Sequence, residues 1–294
     1  MVDITLLFSD IVYGLLLGSV FSVMALGLNL IWGVIKIVNI AHGEFIMLGA
    51  YSAYFLNLLF NINPLISALL NTIFGFGLGL IFYFALIHKE LKDKETITLQ
   101  DEMVTLVATF GLSLFLSTLA LLLFSGNSVG INWSIGSIYV GFLNIPLGAL
   151  YVAITSLVII YVVHNFLTKT YLGNAIRAYS QDIIATQLIG ANPTKIAAIA
   201  TSIGIALTML SGSLLTVWIP VGINPYMGSL YAPISFVIVV MGGKGKMWGS
   251  LVGGLIMGVI IDTAQTFIPP TLAYAIAFLI LIPILLISKE GILK

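Results

Sequence analysis

Three polar clusters interrupt an otherwise apolar chain, and their spacing limits the chemistry each could perform. Asn39-Ile40-Ala41-His42-Gly43-Glu44 sets an imidazole and a carboxylate two residues apart, just inside a hydrophobic run. On one helix that offset turns the two side chains to different sides, which excludes a metal site of the HExxH kind. Ionisable groups inside a membrane segment are costly and point to function. His42, Gly43 and Glu44 are therefore candidates for an interfacial hydrogen-bonded pair around a break at Gly43, for gating or partner contact, or for proton coupling. Counted along a helix from Lys36, Glu44 lies about 12 Å in.

Gly242-Gly243-Lys244-Gly245-Lys246-Met247-Trp248-Gly249 could be mistaken for a phosphate loop. A Walker motif needs Gly, four residues, then Gly-Lys-Ser/Thr. Counting back from Gly245 reaches Val240, and Met247 follows Lys246, so neither requirement is met. The stretch reads as a glycine-rich turn, and ATP hydrolysis, if it drives the protein, belongs to another chain. Asp262 is the one acid deep in a late span, a candidate for a pore-lining polar contact or a contact to a substrate amine. Asn224 and Pro225 lie in the turn-rich stretch Ile219–Tyr231, whose proline and glycine suit a half-helix lining a cavity.

The third cluster, Thr168–Thr194, holds Lys169, Arg177 and Asp182, with Lys195 just beyond, and could not sit in lipid. Asn174 can cap a short helix Ala175–Ser180, and Asp182 can cap Ile183–Ile189, which Gly190 would end. Asn192-Pro193 then restarts a helix with proline at its first position. This is a structured polar module outside the membrane, suited to receiving force or signal from a soluble partner.

The elements that must position these clusters are membrane spans. Of the 294 residues 60% are apolar and 7% charged, with mean hydropathy +1.16, where soluble domains carry roughly 25% charged residues. Zero net charge argues against nucleic acid, and the absence of cysteine excludes disulfides, thiolate metal sites and cysteine nucleophiles. The acidic N-terminus, with Asp3 and Asp10, is unlike a cleaved signal peptide. Hydrophobic runs fall at Ser9–Trp32, Ile37–Leu59, Leu65–Ile87, Met103–Phe124, Leu147–Leu167, Lys195–Trp218, Leu230–Met241, Trp248–Phe267 and Leu272–Ile287. The seventh, about 18 Å as helix, falls short of roughly 30 Å of hydrocarbon. The expected fold is an all-α polytopic membrane protein: one transmembrane domain over 1–294, eight or nine spans including a half-span, and a two-helix loop at 168–194.

Lys36, Lys89, Lys92, Lys94, Lys169, Arg177, Lys195, Lys244, Lys246, Lys289 and Lys294 all fall on one side of nine alternating spans. The opposite loops carry no Lys or Arg, so the basic side, with the carboxyl end, is expected to be cytoplasmic. The mixed-sign stretch His88–Glu102 reads as a solvated loop, and Gly126–Asn144 as a connection on the other side. Glycines spaced four apart (Gly14/Gly18, Gly75/Gly79, Gly249/Gly253, Gly254/Gly258) suit close helix approach.

Gly27–Tyr51, GLNLIWGVIKIVNIAHGEFIMLGAY, resembles the early membrane segment of permease subunits of the branched-chain (hydrophobic) amino acid ABC importers. GNAIRAYSQDIIATQLIGANPTKIAAIA is similar to that family's cytoplasmic loop, and MGGKGKMWGSLVGGLIMGVI to its glycine-rich turn and following span. Lys244, where the family commonly has Met or Leu, and Tyr179, where a smaller residue is expected, depart from the pattern. The resemblance implies a prokaryotic cell-membrane assembly: a second permease, homologous or identical, two cytoplasmic ATPases that hold ATP and Mg, and an external solute-binding protein. This chain itself would be neither an enzyme nor a cofactor binder. Arg177, Gln181, Asp182, Ile184, Ala185, Leu188 and Gly190 would form the loop that couples to the ATPase. Urea and short-chain amide importers use similar permeases and remain alternatives. An ion-coupled secondary transporter would need more ionisable groups at midplane than Glu44 and Asp262 supply.

Overall fold

Lipid offers no partner to backbone N–H and C=O groups, so the apolar runs satisfy them internally as helices. The computed structural model describes residues 4–92, 94, 96–188, 190–219, 222–269, 272–275 and 279. In chain order these form α1 (Ile4–Ile35), α2 (His42–Phe60), α3 (Pro64–Phe82), a π-helical turn (Tyr83–Ile87) and α4 (His88–Leu91). After them come α5 (Leu99–Phe124), β1 (Ser137–Val140), β2 (Leu143–Pro146), α6 (Leu147–Lys169), α7 (Tyr171–Gln181) and α8 (Ile183–Leu188). The described elements end with α9 (Pro193–Leu215), α10 (Met227–Gly242) and α11 (Met247–Phe267). Among the described residues seven helical runs are long and apolar enough to cross a membrane, and α10 is a shorter apolar helix. At 16 residues, about 24 Å, α10 is the expected half-span, longer than the apolar run alone. The chain is an all-α polytopic membrane protein, with one small antiparallel hairpin, β1–β2, beside the helices. The expected last span, Leu272–Ile287, lies largely outside the described residues.

Small residues decide which helices touch. A Cβ on Gly14 would sit 2.5 Å from Val259 Cα, and one on Gly258 2.4 Å from Gly18 Cα. Gly18 likewise abuts Gly254 and Leu255, so α1 and α11 run antiparallel with their backbones in contact. Gly75 and Gly79 of α3 press on Ala206 and Ser202 of α9 in the same way. Three of the four expected glycine pairs thus form seams, and in the fourth Gly249 meets Gly242 of α10. Side-chain amides and hydroxyls add polar ties, which lipid does not weaken by competition. Asn71 donates to Gly49 O (3.0 Å) and Ser213 Oγ (2.5 Å), and accepts from Ser52 Oγ (2.6 Å). Helix α9 is 89% buried over its apolar window and is the centre of the bundle, whereas α5 is 11% buried and lies at its edge.

The start of the second span needs correction. The second span does not run as helix from Ile37: α1 stops at Ile35, Lys36 takes a positive φ of 56°, and helix resumes only at His42. The connecting residues, Lys36–Ala41, climb back along α1 without helix. His42 Nδ1 lies 3.3 Å from Thr208 Oγ1, far along α9 from its start at Pro193. The first turn of α2 is therefore inside the bundle, and His42 and Glu44 are buried rather than interfacial.

The stretch His88–Glu102 is also more ordered than a solvated loop. Helix continues to Leu91, and Thr98 and Asp101 form a capping box at the start of α5, with Lys94 paired to Asp101. At one end of the bundle Lys36, Glu102 and Lys244 line one cleft. At the other end Val129 pairs with Ile223, and Tyr13 Oη donates to Asn144 O at 2.5 Å.

Candidate functional site

The module at the basic end is built by local caps. Thr170 breaks α6 with extended backbone, donates to Phe166 O (2.7 Å) and accepts from Gly173 N (3.0 Å). Thr170 is thus the cap of α7, in place of the expected Asn174, and the helix starts at Tyr171. The reason is Gly173, whose Cα lies so close to the Phe166 carbonyl that a Cβ would sit 2.1 Å from it. That contact folds α7 back sharply under α6. Asn174 Oδ1 instead accepts from Arg177 Nη2 at 2.6 Å on the exposed face.

Helix α7 is amphipathic: it buries Gly173, Ala175, Ile176 and Tyr179 and exposes Asn174 and Arg177. Burial pushes the Tyr179 phenol up to about 12, so it stays neutral and serves as an inward anchor. The larger residue noted there faces the bundle and does not alter the outer surface.

Asp182 caps α8 as expected, accepting from Ile184 N (2.8 Å) and Ala185 N (3.0 Å). Gly190 ends it with φ 81°, and the pair Gly190 N→Gln187 O (2.9 Å) and Ala191 N→Thr186 O (3.2 Å) closes a Schellman turn. Asn192 Oδ1 then accepts from Lys195 N (3.1 Å), and Pro193 opens α9. Thr186 is buried and donates to Asp182 O. Outward, α8 presents Ile184 (41% exposed) and Leu188 (82% exposed), one turn apart, flanked by exposed Gln181, Ala185 and Gln187. Ile189, the expected last residue of this helix, lies outside the described residues.

The glycine-rich turn is the neighbour of this module, since Arg177 and Ser180 share a cleft with Gly245 and Trp248. Asn29 of α1 holds the turn. Its Nδ2 donates to Lys246 O (2.9 Å) and Ser250 Oγ (2.7 Å), and its Oδ1 accepts from Gly245 N (2.6 Å). Lys244 reaches back over the Trp32 ring at 4.1 Å, which accounts for a basic residue at that position by a cation–π contact. Asn29 is not among the residues singled out from sequence, although a lone carboxamide in an apolar helix is itself a signal of buried polar partners. Asn29→Leu is expected to lower stability by about 2 kcal/mol or more, because it strands several buried polar groups. A thermal melt of the detergent-solubilised protein reads this as a drop of several degrees.

The remaining candidates fall in three places, the start of α2, the turn before α10, and α11. Glu44 Oε1 accepts from Ser113 Oγ of α5 at 3.0 Å, and Gly43 abuts Gly228 of α10. His42 faces Thr208 instead, so the structure separates the two ionisable groups as their spacing requires. Asn224 forms the turn before α10, accepting from Tyr226 N (2.9 Å) and donating to Gly222 O (3.1 Å), with Pro225 buried beside it. Asp262 is half-buried on α11, placed opposite Asp10 of α1 by the register of the glycine seam. No hydrogen bond joins Asp262 to Asn224 among the described residues.

Comparison with known proteins fits this architecture. The family described as "Branched-chain amino acid transport system / permease component" matches residues 10–285. The chain belongs to this family. It is similar to the high-affinity branched-chain amino acid transport system permease protein BraD of Pseudomonas aeruginosa, at 28% identity over 97% of this chain and 94% of the relative. It is also similar to the corresponding permease protein LivH of Salmonella typhimurium (26% identity, 95% and 93% covered) and of Escherichia coli K12 (25%, 95% and 93%). No solved structure matches. As a permease component of a branched-chain amino acid transport system, the chain is a multi-pass membrane protein and part of a transporter. Urea and short-amide import gain no support from these relatives.

Proposed function

We propose that this permease forms, with a second homologous or identical permease, the path by which an ATP-driven importer carries branched-chain amino acids inward. Two cytoplasmic ATPases dock against α8, and an external binding protein delivers the solute at the opposite end. The observation that carries the docking role is the exposed pair Ile184 and Leu188 on a helix capped at both ends and rooted in the bundle through α7. An exposed apolar patch on a rigid helix suits a groove on a soluble partner. The charge map supports placing this end, and the carboxyl terminus, in the cytoplasm.

Closure of the ATPase dimer on ATP would press on α8. The force passes through α7, whose buried face joins it to α1, α6 and α9, and so tilts α6 and α9. ATP and Mg are held on the partner subunits, and the path needs no covalent chemistry of its own.

The test is uptake of radiolabelled leucine, isoleucine and valine by proteoliposomes holding this permease with cognate ATPases, a second permease and a binding protein. Uptake is expected to require both ATP and binding protein. Uptake that ignores ATP but collapses with an ionophore would replace this reading by ion coupling.

A further inference from the structure

Two helices begin at the same spot: α2 starts inside the bundle, and α10 starts against it with Met227 and Gly228 buried and Tyr226 exposed. Helix α2 starts at His42, after the non-helical climb from Lys36, and α10 starts at Met227, after the irregular stretch that Asn224 turns. Their first turns touch through glycines. A Cβ on Gly43 would lie 2.0 Å from the Gly228 carbonyl oxygen, and 2.8 Å from Ala232 Cβ. The first N–H groups of a helix have no partner within it and form the positive end of its dipole. Two such ends therefore converge where α2 meets α10.

Glu44 stands at this point. It is the third residue of α2, 4% exposed, and its Oε1 accepts from Ser113. Its Oε2 is buried without a hydrogen-bond partner and would lie 2.8 Å from a Cβ on Gly228, against the second residue of α10. Positive helix ends from both sides favour a carboxylate here. An unmatched carboxylate oxygen in a protein interior costs more than most other orphaned polar groups, so the arrangement is complete only when a donor joins it.

We propose that Glu44 Oε2 is the acceptor for the solute's ammonium group, at a subsite that opens when α2 and α10 part. This deepens the importer reading and rests on it. One carboxylate oxygen and a single hydroxyl are too few for a metal cation, which takes several oxygen ligands, but they match one N–H donor of a monovalent group. The contact between Gly43 and Gly228 has no room for a solute, so it is the closed form of the subsite. The small residues on both sides, with Ala232, let a branched aliphatic side chain pass once the helices separate. Broken helices meeting at mid-bundle are the usual construction of a transport site.

The test uses the whole complex in proteoliposomes, with leucine, isoleucine and valine as probes. Glu44→Gln keeps shape and removes the charge. It is expected to lower uptake of all three roughly tenfold or more, while basal ATP hydrolysis without solute and the melting temperature stay near wild type. Glu44→Asp draws the charge back from Gly228, and is expected to raise half-saturation with some uptake retained. Uptake by Glu44→Gln within about twofold of wild type would overturn the proposal. So would a parallel fall in basal hydrolysis and stability, which marks a structural role. If Glu44→Gln does not assemble, Glu44→Asp decides: half-saturation unchanged from wild type overturns the subsite. A wild-type complex that takes up none of the probes overturns the importer reading and this one with it.

Discussion

Replacing Gly258 by valine is expected to abolish folded, monodisperse permease. A Cβ at that position would sit 2.2 Å from Gly14 O and within 2.5 Å of Gly18 Cα and N. Both neighbours are backbone, so no rotamer change relieves the clash, and α1 must move off α11. Between helices in lipid there is no hydrophobic drive to hold them once they separate. The loss lies at or above the upper end of the roughly 1–3 kcal/mol seen for overpacked cores. Gly77→Ala and Gly111→Ala are the matched controls, since nothing lies within 4 Å of a Cβ at either site. Alanine is the better helix former by about 1 kcal/mol, so these variants should melt at or slightly above wild type. Fluorescence-detected size-exclusion after a temperature series measures all three. A Gly258→Val protein that melts like wild type would remove the α1–α11 seam from the account.

The double variant Ile184→Asp/Leu188→Asp is expected to cut ATP-dependent uptake by more than about tenfold and to lose the ATPases on purification. Its melting temperature should hold, because both side chains are already in solvent and exposed substitutions are usually within about 0.5 kcal/mol. Ile176→Asp, one helix earlier, should behave in the opposite way. Ile176 is 2% exposed, so an aspartate there would be an unpaired buried charge and would lower stability before docking is reached. Gly190→Pro attacks the same module through the backbone. Proline holds φ near −65°, while Gly190 sits at 81°, so the turn that returns the chain to α9 cannot form. Unchanged ATPase association and uptake in the double variant would remove the coupling role from α8.

Much of this architecture is legible in the amino-acid order, for reasons of solvation. A chain this poor in charge has only helices available within lipid, so the spans and the short α10 follow from apolar run lengths. The caps at Asp182, Gly190 and Asn192 are local, each made by atoms a few residues apart, and spacing alone finds them. The resemblance to the family rests on the same kind of local signal, in the stretches Gly27–Tyr51, Gly173–Ala200 and Met241–Ile260.

Contacts between distant segments follow other rules. Gly75, Gly77 and Gly79 look alike in sequence; two face α9 and one faces open space, because only the packed bundle decides which side of α3 meets a partner. Asn174 has the chemistry of a cap, yet Thr170 is used, since the α6–α7 fold at Gly173 starts the helix earlier. Asn29 and Ser113 find their partners on α11, on the glycine turn and on α2, separations that no periodicity encodes. His42 and Glu44 look interfacial when counted along one helix from Lys36. The chain instead leaves helix at Ile35 and re-enters it at mid-bundle, so that an acid two residues from a histidine ends between two helix starts. Sequence determined the class of protein and its local punctuation, because hydrophobicity and capping act over a few residues. Tertiary structure alone decided which polar groups meet and how deep they lie, because depth depends on how the helices assemble around α1 and α9.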